Sequence, residues 1–469
     1  MTIALSMAEI VSAIPTSGGP YHWSALLARH QHSACAAWIT GWFNLLGQVA
    51  VTTGISFGGA GLISTLATVR GYEATAPRTI GIYAALLVSH GLINTFGIRL
   101  LGFFNRSSIA IQSLGVTGLC IALLVKAPTH RTAKEVFGFF YDGTGSDTVE
   151  GWGGRASDVY VALIGMLLTQ YTITGYDASA HMSEETHNAA RSAPIGVITS
   201  VGASSVFGFF VLLSFLFSIQ DFQGTVGSAY EQPVLQIFLD CFGETGAIVA
   251  FSFVCIIVWH CGLFSITANS RMMYAFARDG GLPSFFDKVD SRHAVPVRTV
   301  WLSCLLAFIL ALPSLGSTVA FSAATSIATT GLYISYTIPI AILLIEHDRF
   351  LEIRGPWNLG RFSKPIGLVA VLWVIFVTII FCLPTVNPVT SQTINYTPAA
   401  VGAVTIWAVG SWFLWARRWF KGPRQAAFQD MAALPDAPLA RRCSDASENK
   451  AKAEAGVREV DESEPEEVK

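Results

Sequence analysis

The chain has 469 residues, of which 52% are hydrophobic, 12% aromatic and only 13% charged. Soluble globular domains carry roughly a quarter charged residues, so this composition excludes one and places the chain in a lipid bilayer. The net charge of -2 offers no basic surface for a nucleic acid, and the cysteines, without any C-x-x-C pattern, indicate neither a disulfide framework nor a metal site; no cofactor is expected.

In chain order, uncharged runs recur at close to the roughly 20 apolar residues that a helix needs to cross the hydrocarbon core. A shortened run covers residues 1–14 and contains Glu9. Longer ones follow at 35–64, 79–98, 107–125, 159–176, 194–220, 245–270, 299–316, 317–345, 365–386 and 398–416. The pattern predicts an all-α, multi-pass membrane protein with about eleven spans. Four of these precede a long loop at 126–158, five follow it, and two close the chain. Transporters are often built from two inverted repeats, each opening with a broken helix. Four, five and two then read as five, five and two with one span missing at the start, giving an incomplete first repeat at 1–125, a second at 158–345 and two extra helices at 365–416. From 421 to 469 the chain turns polar and ends "REVDESEPEEVK", a composition predicted to stay disordered.

Basic residues alternate between connections. One set holds most of them, including Arg29, Arg99, Arg191, Arg278, Arg354 and Arg417, while the other holds few beyond the long loop. The first set, with the C-terminal tail, is expected to face the cytoplasm.

The stretch "LLTQYTITGYDASAHMSEET" at 167–186 then stands out. It places Asp177 at the end of an apolar run, where an ionised acid costs roughly 2.5 to 3.5 kcal/mol and must face protein or water. Gly175 suits an interrupted helix better than a continuous one, and Thr174 and Tyr176 supply a hydroxyl and an amphipathic ring. These residues predict a helix break lining a cavity, the alternative being a packing glycine followed by a capping acid. Asn44 and Gln48 share one face of a span, Trp259 and His260 sit mid-span, and Ser326 lies among small hydroxyl residues. Each is either a cavity residue or structural glue between helices. Asp177 and His181 are four apart and can touch, which is the best case for a membrane-embedded acid–base enzyme. No paired metal-ligand motif, nucleophile with a base or nucleotide loop accompanies them, and a transporter is the stronger reading. A membrane nutrient sensor is the third possibility.

Five motifs carry a family resemblance: "IPTSGGPYHW" from Ile14, "TGYDASAHMSEETHNAARSAPIGV" from Thr174, "SRMMYAFARDGGLPSFF" from Ser270, "SIATTGLYISYTIPI" from Ser326 and "RGPWNLGRFSKPIG" from Arg354. Together they resemble the amino acid/polyamine/organocation permeases, the fungal amino-acid, GABA and choline branch above all. The resemblance implies a twelve-helix, five-plus-five inverted-repeat transporter whose first and sixth helices unwind at the substrate. It implies that Thr174, Gly175 and Tyr176 present backbone groups and an aromatic gate to that substrate, that Asp177 serves proton coupling or orders the break, and that Glu9 contributes to the inner gate. The implied substrate is an amino acid or related amine such as GABA, choline or a polyamine. The plasma membrane is the first expectation for its location, with an endomembrane such as the vacuole as the alternative. Some relatives use a lysine in the fifth helix as a stand-in for a cation, and "SSIAIQSLGVTGLCIALLV" lacks one. Asp177 and Glu9 are therefore the better proton candidates. The opening "MTIALSMAEIVSAIPTSGG" resembles the latter half of the family's second helix, so the expectation is that an upstream exon or start codon encodes the first helix and that these 469 residues alone do not transport.

Overall fold

The computed structural model describes residues 1–146, 148–230, 232–290, 295–315, 320–391 and 393–423. The polar tail from 424 onward lies outside the described residues, as does the start of the predicted 317–345 span.

The described chain is helical, without strands beyond two isolated bridges. Among the described residues nine helices are long and apolar enough to cross a membrane. Among the shorter helices, five bear on the site: α1 (Thr2–Ala13), α2 (Pro20–Leu27), and α6 (Asp158–Gly165), α7 (Leu167–Thr172) and α8 (Ala178–His181) of the interrupted segment. The nine long ones are α3 (His30–Thr68), α4 (Ala76–Phe96), α5 (Arg99–Lys126), α9 (Ala189–Ser218), α10 (Pro233–Arg278), α11 (Val297–Leu315), α12 (Phe321–Ile345), α13 (Gly360–Phe381) and α14 (Thr397–Leu414). Counting α1 and the α6–α7 segment with these nine matches the spans read from the sequence.

Local chemistry sets the boundaries. Pro20, Pro77, Pro233 and Pro398 occupy first-turn positions, where a missing N–H costs nothing and the fixed φ is already helical. The Ser157 hydroxyl caps α6 by accepting from the Tyr160 N–H. Within α10, Gly243 adopts φ +67° and bends the helix, so the run predicted to start at 245 is joined to an earlier segment.

α3 organises the bundle. Its 39 residues extend about 58 Å, far more than the thickness of a bilayer core. It packs against α2, α4, α10, α11, α12 and α14. At its crossing with α12 a Cβ on Gly331 would stand 3.2 Å from the Gly47 Cα, a backbone approach that small residues permit. One face of α3 carries Thr40, Asn44, Gln48, Thr52 and Ser56, all buried. Spaced by four, they make one polar stripe through an otherwise apolar bundle.

Candidate functional site

The predicted break is present. α7 ends at Thr172, α8 begins at Ala178, and between them Gly175 adopts φ +93°, a conformation that side chains resist. A Cβ at Gly175 would meet no atom within 4 Å, so the backbone there borders open space rather than packing. Helical pairing is lost across the turn: the N–H groups of Gly175, Tyr176 and Asp177 and the carbonyls of Thr172, Ile173, Thr174 and Tyr176 make no hydrogen bond within the described chain. Three successive donors and four acceptors are left in one place, which buried backbone rarely tolerates without a partner.

Asp177 closes this turn and is fully buried. Its Oδ2 accepts from the Gln48 amide at 2.9 Å and the Asn44 amide at 3.4 Å, and meets His181 Nε2 at 3.2 Å. Asn44 also donates to the Ser335 hydroxyl of α12 at 3.1 Å. The acid is thus held by α3 and α8, and Ser335 of α12 reaches it through Asn44. The Asn44 Oδ1 is buried without a hydrogen-bond partner, and the Tyr336 phenol of α12 lies against the Asp177 carboxylate. Beside them Tyr176 packs at 5.2 Å against Tyr336, and the Tyr333 hydroxyl donates to Gln170 at 2.8 Å. Further along α7, the Tyr171 hydroxyl is buried near Gly54 of α3 and Thr325 of α12.

Below Asp177, the turn between α1 and α2 seals one end of the bundle. The Ser17 carbonyl lies 2.7 Å from His181 Nδ1, while the Ser17 N–H donates to Glu184 at 3.0 Å and its hydroxyl to the same carboxylate oxygen. On the far side, Asp279 at the end of α10 accepts from the Tyr21 hydroxyl at 2.9 Å and pairs with His22 Nε2 at 2.8 Å. Burial alone would raise the Asp279 carboxyl, but the His22 hydrogen bond and charge, with help from Arg278 and Tyr21, hold it below its ordinary value. Burial and the adjacent Asp279 push the Tyr21 phenol well above its ordinary value.

The predicted residues therefore divide. Thr174, Gly175, Tyr176, Asp177, Asn44 and Gln48 come together. Trp259 and His260 do not join them: they pack between α4 and α5, where the Trp259 indole donates to Ser89 at 3.2 Å and His260 lies against Phe104 and Ser107. Ser326 is buried on α12 but nine residues, about 13 Å, before Ser335, and so lies away from the acid. Glu9 is elsewhere too. Its carboxylate accepts from the Leu359 N–H at 3.0 Å and the Ser363 hydroxyl at 2.6 Å, tying α1 to the start of α13. No basic residue pairs with it among the described residues. Ser17, Gln170, Tyr333, Ser335 and Tyr336 join the site without having stood out in the sequence. Only the hydroxyls in "ISYTIPI" give a local signal there.

A polar break inside an apolar, multi-pass helical bundle is an arrangement that membrane transporters use to hold substrate. The amino acid permease family model matches residues 1–409, and the chain belongs to that family. It is 43% identical over 440 residues to the amino-acid permease BAT1 homolog of Oryza sativa subsp. japonica, covering 90% of this chain and 83% of that protein. It is 41% identical over 440 residues to the amino-acid permease BAT1 of Arabidopsis thaliana, covering 90% and 84%. An uncharacterized amino-acid permease of Schizosaccharomyces pombe is 35% identical over 431 residues, covering 90% and 78%. Plant and fungal permeases are thus both among its relatives.

Proposed function

We propose that the protein is a secondary active transporter that moves an amino acid or a related amine by alternating access around the Gly175 break. The observation that carries this reading is the group of unpaired backbone donors and acceptors between Thr172 and Asp177. A substrate carboxylate suits the three successive N–H groups, and an ammonium suits the free carbonyls and the faces of Tyr176 and Tyr336. Asn44, Gln48 and His181 hold Asp177, and the Asp177–His181 pair is the proton-sensitive unit of the site in this reading. Glu9 is a structural tie in this reading, and Trp259, His260 and Ser326 support the scaffold. In this reading the turn at 15–19 and the α10 terminus face the cytoplasm, an orientation that the distribution of Arg and Lys supports.

Uptake by transporter-deficient cells expressing the gene, with a panel of labelled amino acids, GABA, choline and a polyamine, tests this. Asp177→Asn should abolish uptake or remove its pH dependence while leaving membrane insertion intact, since losing a charge lowers the insertion cost. Wild-type uptake with unchanged pH dependence in that variant would count against the role of Asp177. A panel that gives no saturable uptake would count against transport itself.

A further inference from the structure

We propose that His181 holds the proton that governs the cytoplasmic gate: the doubly protonated imidazole clamps the helix break to the 15–19 turn, and loss of one proton releases it. The inference rests on the transport reading above and adds its regulation.

The ring is clamped from both sides. Nδ1 lies 2.7 Å from the Ser17 carbonyl, and a carbonyl oxygen only accepts, so Nδ1 carries hydrogen. Nε2 lies 3.2 Å from Asp177 Oδ2. That oxygen already accepts amide hydrogens from Gln48 and Asn44, which a proton on Oδ2 would oppose. The proton between the two groups therefore sits on Nε2, and the pair is an imidazolium and a carboxylate, neutral as a unit and fully buried. The turn is shaped to receive the ring. Gly19 has φ +57°, and a Cβ there would stand 2.9 Å from His181 Cε1, so only glycine lets the imidazole seat this deeply.

A neutral imidazole has one N–H and cannot make both bonds. Held by the carboxylate, it keeps the hydrogen on Nε2. The N–H bond at Nδ1 breaks, its electron pair stays on nitrogen and the proton passes to cytoplasmic water. Two lone-pair-bearing atoms, Nδ1 and the Ser17 oxygen, are then left facing each other, and the turn is repelled. Because the clamped state holds one more proton than the released state, clamping is favoured as pH falls.

The surrounding groups are mostly unable to substitute for this titration. α3 presents the neutral amides Asn44 and Gln48, and α12 presents the Tyr333 and Tyr336 phenols beside Tyr176. Glu184 lies on the opposite side of Ser17. Arg271 of α10 lines a cleft of about 590 Å³ with Ala178, Ser179 and Met182, and Arg191 of α9 is exposed. Tyr21, His22, Asp279 and Arg278 form the separate tie at the end of α10.

Hydrogen exchange of the full chain in nanodiscs, followed by mass spectrometry over about pH 5 to pH 9, tests the clamp. After correction for intrinsic exchange, protection of residues 15–22 should fall by about tenfold per pH unit across the titration, the slope of one proton. His181→Asn and His181→Gln, checked for monodispersity, should abolish the slope. A flat wild-type profile, or an equal slope in a folded variant, would overturn the proposal. Thermal-shift binding of the same amino acids and amines in the same preparations separates the two readings. Binding with a flat profile defeats the clamp alone. A one-proton slope without binding of any panel member defeats the transport reading and leaves the clamp standing.

Discussion

Replacing Gly175 with alanine changes one methyl group at the point where the chain must turn, and the structure sets the size of the effect. The added Cβ meets nothing within 4 Å, so steric collision contributes nothing. Its φ of +93° is instead penalised by about 1 to 2 kcal/mol for an L-residue. Alanine also favours a continuous helix over glycine by about 1 kcal/mol. Both terms push the same way, toward closing the gap between α7 and α8 and drawing the free N–H groups into helical bonds. Their sum, about 2 to 3 kcal/mol, shifts the equilibrium between the broken and the continuous helix by roughly 30- to 150-fold toward the continuous form, and apparent affinity falls with the binding-competent fraction. Concentration-dependent uptake in proteoliposomes reads this directly. Gly208→Ala, in the middle of α9 with equally open surroundings and no positive φ, is the matched control and should transport as wild type. Uptake by Gly175→Ala within threefold of the parent would refute the account of the break.

Topology is tested with single cysteines labelled by an impermeant maleimide: residues in the 126–158 loop should react in intact cells, and those near Arg191, Arg278 and Arg354 only after permeabilisation. Labelling of the Arg278 loop in intact cells would reverse the assignment. Asp279→Ala should destabilise the protein by about 3 to 5 kcal/mol, because it strands a buried His22 partner, and thermal unfolding in detergent checks this. The same tie has a defined pH sign. With the carboxyl held below its ordinary value, its stabilisation is fully present above about pH 4 and fades as pH falls through the depressed value. Wild type should therefore lose the advantage over Asp279→Ala in strong acid, and a constant difference would contradict it.

Composition and the lengths of apolar runs are enough to read the class of this protein and its approximate number of spans, because the bilayer core imposes one length and forbids unpaired backbone. The break is equally legible, since a glycine and an acid inside an apolar run are both costly to a continuous lipid-facing helix and cheap where the helix is interrupted beside a cavity. The α3 stripe of Thr40, Asn44, Gln48, Thr52 and Ser56 is readable from its spacing as well, with Asn44 and Gln48 as its most polar part. Partners are another matter. In a helix apolar on most sides, the face turned inward is decided by small residues and by neighbours distant in sequence, such as Gly47 against Gly331. Hence Trp259 and His260 look as promising in the sequence as Asn44 and Gln48, yet the rotation of α10 gives them to α4 and α5. The partners of Glu9 are equally hidden in the sequence: the 354–363 segment folds over α1 and gives its carboxylate two donors. Residues 15–19 and His181 are separated by more than 160 positions, and only the folded bundle makes one ring bridge Asp177 and Ser17.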